Sequence, residues 1–465
     1  MAIKAGKELI VKIEKFALGG KGLSRVNGEV LFVDGGIPGA TVRVKVTRKK
    51  KSYSEARILE VIEPSPDESP PFCFHASYCG GCYWQRVNYD RQLEWKERLV
   101  RETLEHLGNL DASTVRPITP SPETLYYRNK MEFAFSARRW FRPDEIAKEV
   151  ELKRDCGLGL HVKGHFDRVF NVEECYLESP QAVDLLKTVR EFCRGSGLPA
   201  YDINRKEGFW RFLVIREGKN TDQRLIHLIT TTNDEAAGTI EALGQMLEKT
   251  GMVTTFVHST NDSLSQVAFG ESSIVLFGQG YIEERLGNFR FRISPNSFFQ
   301  TNPRGAEILY GKVLECAGLT GGETVWDLYC GTGSISIFVA PHARRVVGVE
   351  LVEEAVADAY VNVELNGIEN CTFHAGDIKE VIRELSTDVP DVIITDPPRA
   401  GMNPKVIRGL KDVKARRLVA VSCNPATLAR DLSMLADSYR LLEVYPFDMF
   451  PHTPHIECVA LLERK

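Results

Sequence analysis

From about Ile293 onward the chain settles into one rhythm. Five short apolar runs, Thr324–Leu328, Arg345–Val349, Cys371–Ala375, Asp391–Thr395 and Arg417–Ser422, are separated by segments of helix length. Strands spaced this way are not joined by tight hairpins. They pair in parallel, with helices crossing over both faces. The pattern predicts a mostly parallel, doubly wound sheet whose ligands collect at the carboxyl ends of its strands.

That sheet accounts for residues 289–465 of a 465-residue chain, a length that suits about three domains of about 150 residues each. Residues 1–68 read as a small β domain. Stretches Glu8–Lys15, Glu29–Val33, Thr41–Thr47 and Ala56–Glu63 are split by turns at Gly19-Gly20, Gly35-Gly36 and Pro38-Gly39, the pattern of an OB-type barrel, a frequent nucleic-acid platform. Pro64, Pro66, Pro70 and Pro71 form a linker. Residues 69–288 read as α+β, with helices at Tyr89–Leu107, Gln181–Cys193 and Asp234–Thr250 and strands at Lys130–Phe135, Phe209–Arg216, Gln223–Thr230 and Ile274–Gly278.

Composition closes off other classes. With 43% hydrophobic and 26% charged residues the chain is neither disordered nor fibrous. No apolar run approaches the ~18 residues of a membrane span. The start MAIKAGKELIVKIEKF lacks the apolar core of a secretory signal, so a cytoplasmic protein without a membrane partner, and a monomer, is expected. Net charge is −4, but residues 1–65 carry 13 Lys/Arg against 7 Asp/Glu, including the run Arg48, Lys49, Lys50, Lys51. A charge-guarded hairpin edge and a phosphate-contacting surface explain that run equally well. Arg128, Lys130, Phe133, Arg138, Arg139 and Trp140 read either as RNA guides or as an ordinary strand with a charged outer face.

Four strand ends carry suggestive chemistry. In VWDLYCGTGSISIFVA a strand runs into a turn holding Gly331 and Gly333, Glu350 tips the second strand, Asp377 follows the third, and Asp396 opens the loop ITDPPRAG after the fourth. A bare G-x-G is a common turn requirement, and each acid alone serves as well as a helix cap. Together they resemble the S-adenosylmethionine turn of Rossmann-like methyltransferases more than a G-x-G-x-x-G dinucleotide turn.

At the end of the fifth strand VAVSCNPATLARDL places Cys423 before a helix, a position expected to depress a thiol pKa, although a lone cysteine also serves as a small packed side chain. FPHTPHIECVALLE places Glu457 before a final strand, where a solvated turn residue is the plainer reading. Thiol and carboxylate together suit methylation of a carbon such as uracil C5. A thiolate adding at C6 makes C5 nucleophilic, and a base must afterwards remove the C5 proton.

The stretches SPNSFFQTNP, DLYCGTGSISI, GVELVEEAVADAYVNVELN, DPPRAGM, SCNPATLARDL and PHTPHIECV resemble the catalytic domain of the RNA 5-methyluridine methyltransferase family, the group that includes the 23S rRNA uracil-5 enzymes. Residues 1–65 resemble that family's TRAM domain. The resemblance implies an OB-type TRAM barrel, an α+β central domain with a Cys-ligated cluster, and a C-terminal α/β Rossmann-like methyltransferase domain. It implies Cys423 as nucleophile and Glu457 as general base. Gln300, Tyr329, Ser334, Glu350 and Asp377 would line the S-adenosylmethionine site, with Asp396 between donor and uracil. The expected partner is RNA, 23S rRNA first, with its target uridine flipped or in a loop. A tRNA T-loop enzyme is the alternative within the family. A non-catalytic RNA-binding assembly factor is a third reading, disfavoured because Cys423 and Glu457 are both present.

Eleven cysteines, odd in number and without an export signal, argue against a disulfide framework. Cys73, Cys79 and Cys82 form C-x5-C-x2-C in CFHASYCGGCYWQ, a ligand spacing. Cys156, Cys175 and Cys193 compete as a fourth ligand. The resemblance points to Cys175 and to a structural [4Fe–4S] cluster, with zinc as the alternative. The C-x3-C-x2-C spacing of radical chemistry is absent. Cys330, Cys371 and Cys458 are expected to pack in the core.

Overall fold

The computed structural model describes residues 3–147, 156–385 and 389–465, and among them the strands gather into three large sheets and one hairpin. The first sheet takes strands Glu8–Lys12, Lys15–Phe16, Gly22–Val26, Glu29–Asp34, Thr41–Lys49 and Tyr53–Glu63. Val42, Val44 and Val46 alternate inward onto Val11, Ile13, Leu31 and Val33, the period-2 burial of a half-covered sheet. The two-residue Lys15–Phe16 and Gly22–Val26 extend the expected set; in the latter Gly22, Leu23 and Ser24 are all buried, so it does not alternate. At the basic run, Lys49 pairs with Glu29, while nearby Arg43 bridges Glu8 and Glu60 at 3.2 and 2.8 Å. Exposed pairs of this kind contribute at most about 1 kcal/mol each.

Eight strands cross the second sheet in the spatial order Ser272–Phe277, Thr255–Thr260, Arg224–Thr230, Trp210–Glu217, Lys130–Ser136, Gly157–His161, Val169–Asn171 and Arg139–Trp140. Helices Pro180–Gly195 and Ala237–Lys249 bury Leu186, Val189, Leu243 and Leu247 against Phe133, Leu213, Ile215 and Leu228. Thr255–Thr260 lies outside the sequence expectation because Thr, His and Ser dilute its apolar content. Its polar groups are paired within the sheet instead, Ser259 Oγ with His227 Nε2 at 2.7 Å. Phe133 is fully buried, which corrects its reading as an RNA guide. Lys130 pairs with Glu132 at 2.6 Å, Arg138 with Asp202 at 3.4 Å, and Arg139 with Glu145. Arg139 and Trp140 lie on a separate short strand and not on that of Lys130 and Phe133.

The third sheet holds β1 (Thr324–Leu328), β2 (Arg345–Glu350), β3 (Cys371–Ala375), β4 (Val392–Thr395), β5 (Arg417–Ser422), β6 (Tyr439–Phe447) and β7 (Glu457–Arg464) in the order 3-2-1-4-5-7-6. The first five are parallel; β7 runs antiparallel to both β5 and β6. Helices cover both faces, so β1 and β4 are buried at every position, which is why these strands read as unbroken apolar runs. The strand order reverses beside β1, opening a crevice over the carboxyl ends of β1 and β4. Among the described residues no helix is long and apolar enough to cross a membrane.

Helix Tyr89–Gly108, capped by Asn88, packs on helix Pro425–Leu435 of this third sheet. The seam is polar as well as apolar. Lys96 Nζ donates to Asp448 Oδ1 at 2.6 Å and to the Phe450 carbonyl at 3.1 Å, with both side chains of the pair fully buried. Gln92 Oε1 accepts from the His452 amide at 2.8 Å. Removing one partner of a buried pair strands the other charge. Asp448→Ala is therefore expected to lose about 3–5 kcal/mol in denaturant unfolding, whereas Lys96→Met with Asp448→Leu should lose much less.

Candidate active site

The turn after β1 is built from backbone that only particular residues adopt. Tyr329, Gly331 and Gly333 have φ of +67°, +54° and +78°. A Cβ at Gly333 would also lie 3.1 Å from Ala359 Cβ and from the Phe373 ring, so space and dihedral both require glycine there. Folded this way, the Gly331 amide donates to Glu350 Oε2 at 3.1 Å, while the Leu351 and Val352 amides donate to Oε1 at 2.8 and 3.0 Å. Glu350 is thus fixed at the tip of β2. Beneath the turn, fully buried Asp327 accepts from Ser336 Oγ at 2.6 Å. Asp377 caps helix Ile378–Glu384 and accepts from the Lys379 amide and Nζ at 3.1 and 2.7 Å. The cap reading of Asp377 is therefore its local role, and Lys379 holds its carboxyl below the usual value. Ser334 Oγ is 2.9 Å from the Tyr310 hydroxyl.

Gln300, Tyr329, Ser334, Glu350, Asp377, Asp396, Cys423 and Glu457 all line one cavity of about 1770 Å³. The last three meet through strand register. In the antiparallel pair β5–β7, Ser422 lies opposite Cys458, so the next step places Cys423 alongside Glu457. Asp396 follows Thr395, whose neighbour on β5 is Ala420. Glu457 is 5% exposed; burial, and then Asp396, push its carboxyl well above the usual value. Burial raises Asp396 to about 6.

Cys423 departs from expectation. Helix Pro425–Leu435 does begin beside it, with Asn424 accepting from the Ala426 amide at 3.1 Å. Yet burial pushes the thiol up to about 11, with Glu457 and Asp396 adding to the rise and Arg399 opposing it. Desolvation and two acids outweigh the helix start. A thiol and a carboxyl on one wall can attack and deprotonate the same bound ring.

The cavity is also lined by Arg128, Arg399, Phe450 and His455. Arg399 stands within the quoted DPPRAG and His455 within PHTPH, yet their spacing alone assigned neither residue a place in the site. Burial holds His455 neutral, with its pKa near 4.

Gly80 and Gly81, between two of the loop cysteines, reach the rim of this cavity. Cys82 is raised by burial and then by Cys175, Cys79 and Cys73, so these four thiols share one neighbourhood. Burial also raises Cys73 to about 11 and Cys175 to about 12. Cys73 Sγ accepts from the His75 amide and Cys79 Sγ from the Gly81 amide, each at 3.4 Å. Cys193 is buried beside Cys156 instead. Among the described residues no group of three or more His, Cys, Asp or Glu is arranged to hold a metal ion. Cys330, Cys371 and Cys458 are buried.

A family model described as tRNA (uracil-5-)-methyltransferase matches residues 257–465, and a TRAM domain matches residues 4–59. An uncharacterized RNA methyltransferase of Nitratidesulfovibrio vulgaris is 41% identical over 99% of this chain and 97% of its own length. Another, from Porphyromonas gingivalis, is 40% identical over 98% of this chain and 99% of its own. The solved Pyrococcus abyssi tRNA (uracil-54, C5)-methyltransferase in complex with S-adenosyl-L-homocysteine aligns with a TM-score of 0.75 and 30% identity, over 97% of this chain and 99% of that one. The strand order, the glycine turn and these full-length likenesses agree: the chain belongs to the RNA uracil-C5 methyltransferase family.

Proposed function

We propose that the protein transfers a methyl group from S-adenosylmethionine to C5 of a specific uridine in 23S rRNA, acting as a cytoplasmic monomer. The observation that carries this reading is the register of β5 and β7, which sets Cys423 beside Glu457 in the cavity that the glycine turn also lines. The turn leaves room for a ligand: a Cβ at Gly331 would meet nothing within 4 Å. Gln300, Tyr329, Ser334, Glu350 and Asp377 would hold the donor, and Asp396 would lie between donor and base. When bound, the donor supplies an electrophilic methyl group on a positively charged sulfur.

The chain's own residues then act in order. The Cys423 thiolate adds to C6 of the uracil, and the C5–C6 electron pair moves toward the C4 carbonyl as an enolate. With a donor bound, C5 would take the methyl group as its bond to the donor sulfur breaks and the electron pair stays on that sulfur, so that C5 would for a moment carry both methyl and hydrogen. Glu457 accepts the C5 proton, the double bond re-forms, and the thiolate leaves. Addition requires an open ring face, so the uridine must be flipped out or unpaired. Residues 1–68 would grip the flanking RNA, residues 69–288 would carry the thiol loop, and residues 289–465 the chemistry. A tRNA T-loop uridine is the second substrate reading, favoured by the full-length likeness to the Pyrococcus tRNA enzyme. Mass mapping of rRNA and tRNA from cells with and without the protein decides between them; no change in either RNA overturns the activity.

Cys73, Cys79, Cys82 and Cys175 would hold a structural [4Fe–4S] cluster; four half-buried thiols in one neighbourhood, two of them accepting amide hydrogen bonds, support this reading, although they are not arranged around a metal position in the described residues. Anaerobically purified protein should be brown with iron bound. A colourless protein with stoichiometric zinc would support the alternative.

Cys423→Ala should reduce methyl transfer about 10⁴-fold or more, while Glu457→Gln should accumulate a protein–RNA adduct that survives denaturing electrophoresis. Turnover in the first variant, or no adduct in the second, contradicts the scheme. Because the free thiol sits near 11, alkylation of Cys423, followed by peptide mass mapping, should be slow at pH 7 and rise steadily toward pH 10. Glu457→Gln removes a negative neighbour and should shift that rise to lower pH. A plateau below pH 8 in the unaltered protein contradicts it.

A further inference from the structure

The loop from Ser294 to Asn302 presents Gln300 to the cavity, and the central sheet holds it in place. Arg216, near the end of strand Trp210–Glu217, is 2% exposed. Its Nη2 donates to the Pro295 carbonyl at 3.2 Å and to the Ser297 carbonyl. Asn129, immediately before strand Lys130–Ser136, is also buried. Its Nδ2 donates to the Gln300 carbonyl at 3.1 Å and its main-chain amide to the Thr301 carbonyl at 2.9 Å. The two residues belong to one paired unit: Arg216 lies opposite Lys130, and the Glu217 amide donates to the Asn129 carbonyl at 2.8 Å. The loop braces itself as well, with Ser297 Oγ accepting from the Ser294 amide and donating to the Ser294 carbonyl, both at 2.9 Å.

The cost of this arrangement points to its purpose. Among the described residues no carboxylate lies within salt-bridge distance of Arg216; Glu132 and Asp358 act on its charge only from farther away, and its hydrogen bonds go to main-chain carbonyls. Burying a guanidinium without an ion partner is unfavourable. Both carbonyls are held from Nη2, whose two hydrogens are fixed in the plane of a rigid guanidinium, whereas a lysine ammonium sits on a shorter, flexible stem and holds no such orientation. Neither Arg216 nor Asn129 lines the cavity, so both act through the loop.

We propose that Arg216 and Asn129 are positioning residues that fix the backbone presenting Gln300, making the central sheet a structural part of the methyl-donor site. This rests on the donor reading of the cavity given above. Calorimetric titration of the full-length protein with S-adenosylhomocysteine, alongside steady-state methylation, tests it. Arg216→Lys keeps the charge and loses the rigid planar Nη2 that holds both carbonyls. It should raise the Kd for S-adenosylhomocysteine about tenfold with binding stoichiometry and the KM for RNA unchanged. Lower stoichiometry with an unaltered Kd would mean a merely structural role and overturns the assignment. Asn129→Ala removes only the carboxamide bond to the Gln300 carbonyl, keeps both main-chain bonds, and should raise the same Kd about threefold. It carries the test if Arg216→Lys does not fold, and an unaltered Kd there overturns the assignment equally. If the unsubstituted protein binds no S-adenosylhomocysteine, the donor reading falls first and this assignment with it.

Discussion

The antiparallel pairing of β7 against β5 governs the chemistry of this fold. Its register is fixed by burial on both faces: Val421 and Val459 oppose each other, as do Ala420 and Ala460, and all four are in the core. A slip of one residue would turn every side chain of β7 to the opposite face. Glu457 would leave the cavity and Cys458 would take its place. The hydrophobic packing of an otherwise ordinary strand pair thus sets the relation between thiol and carboxyl, and no polar contact is needed to do so.

Burial then imposes an electrostatic conflict on the same groups. Cys423, Asp396 and Glu457 share one poorly solvated wall, and each is raised above its ordinary value chiefly by burial. Two acids beside a thiol disfavour the thiolate, whereas Arg399 and the adjoining helix start favour it. The free site is therefore held back, and a cationic ligand among these acids would ease the conflict.

Much of this was legible in sequence because it rests on short-range rules. The parallel strands are apolar runs of the right length, and the helix read after Cys423 is present, capped by Asn424. Gly331 and Gly333 announced a turn with positive φ. Other features depend on residues far apart in the chain and leave no local trace. Lys96 reads as an exposed helical lysine until Asp448 arrives beside it. Arg216 reads as an ordinary strand arginine until the loop at Pro295 folds over it. The thiol pKa was misjudged for the same reason: the helix start is visible locally, but the depth of burial and the two acids are not.

Helix Tyr89–Gly108 joins its ion partner across 352 positions of sequence. Contacts of such separation form late and slowly, because the intervening chain must first be closed into a loop. On a ribosome this helix emerges long before Asp448 and helix Pro425–Leu435, the surfaces that cover it. The molecule is consequently unable to mature strictly from front to back. Its early segments wait with apolar and charged faces uncovered until the closing strands are made, an interval in which a chaperone has something to hold.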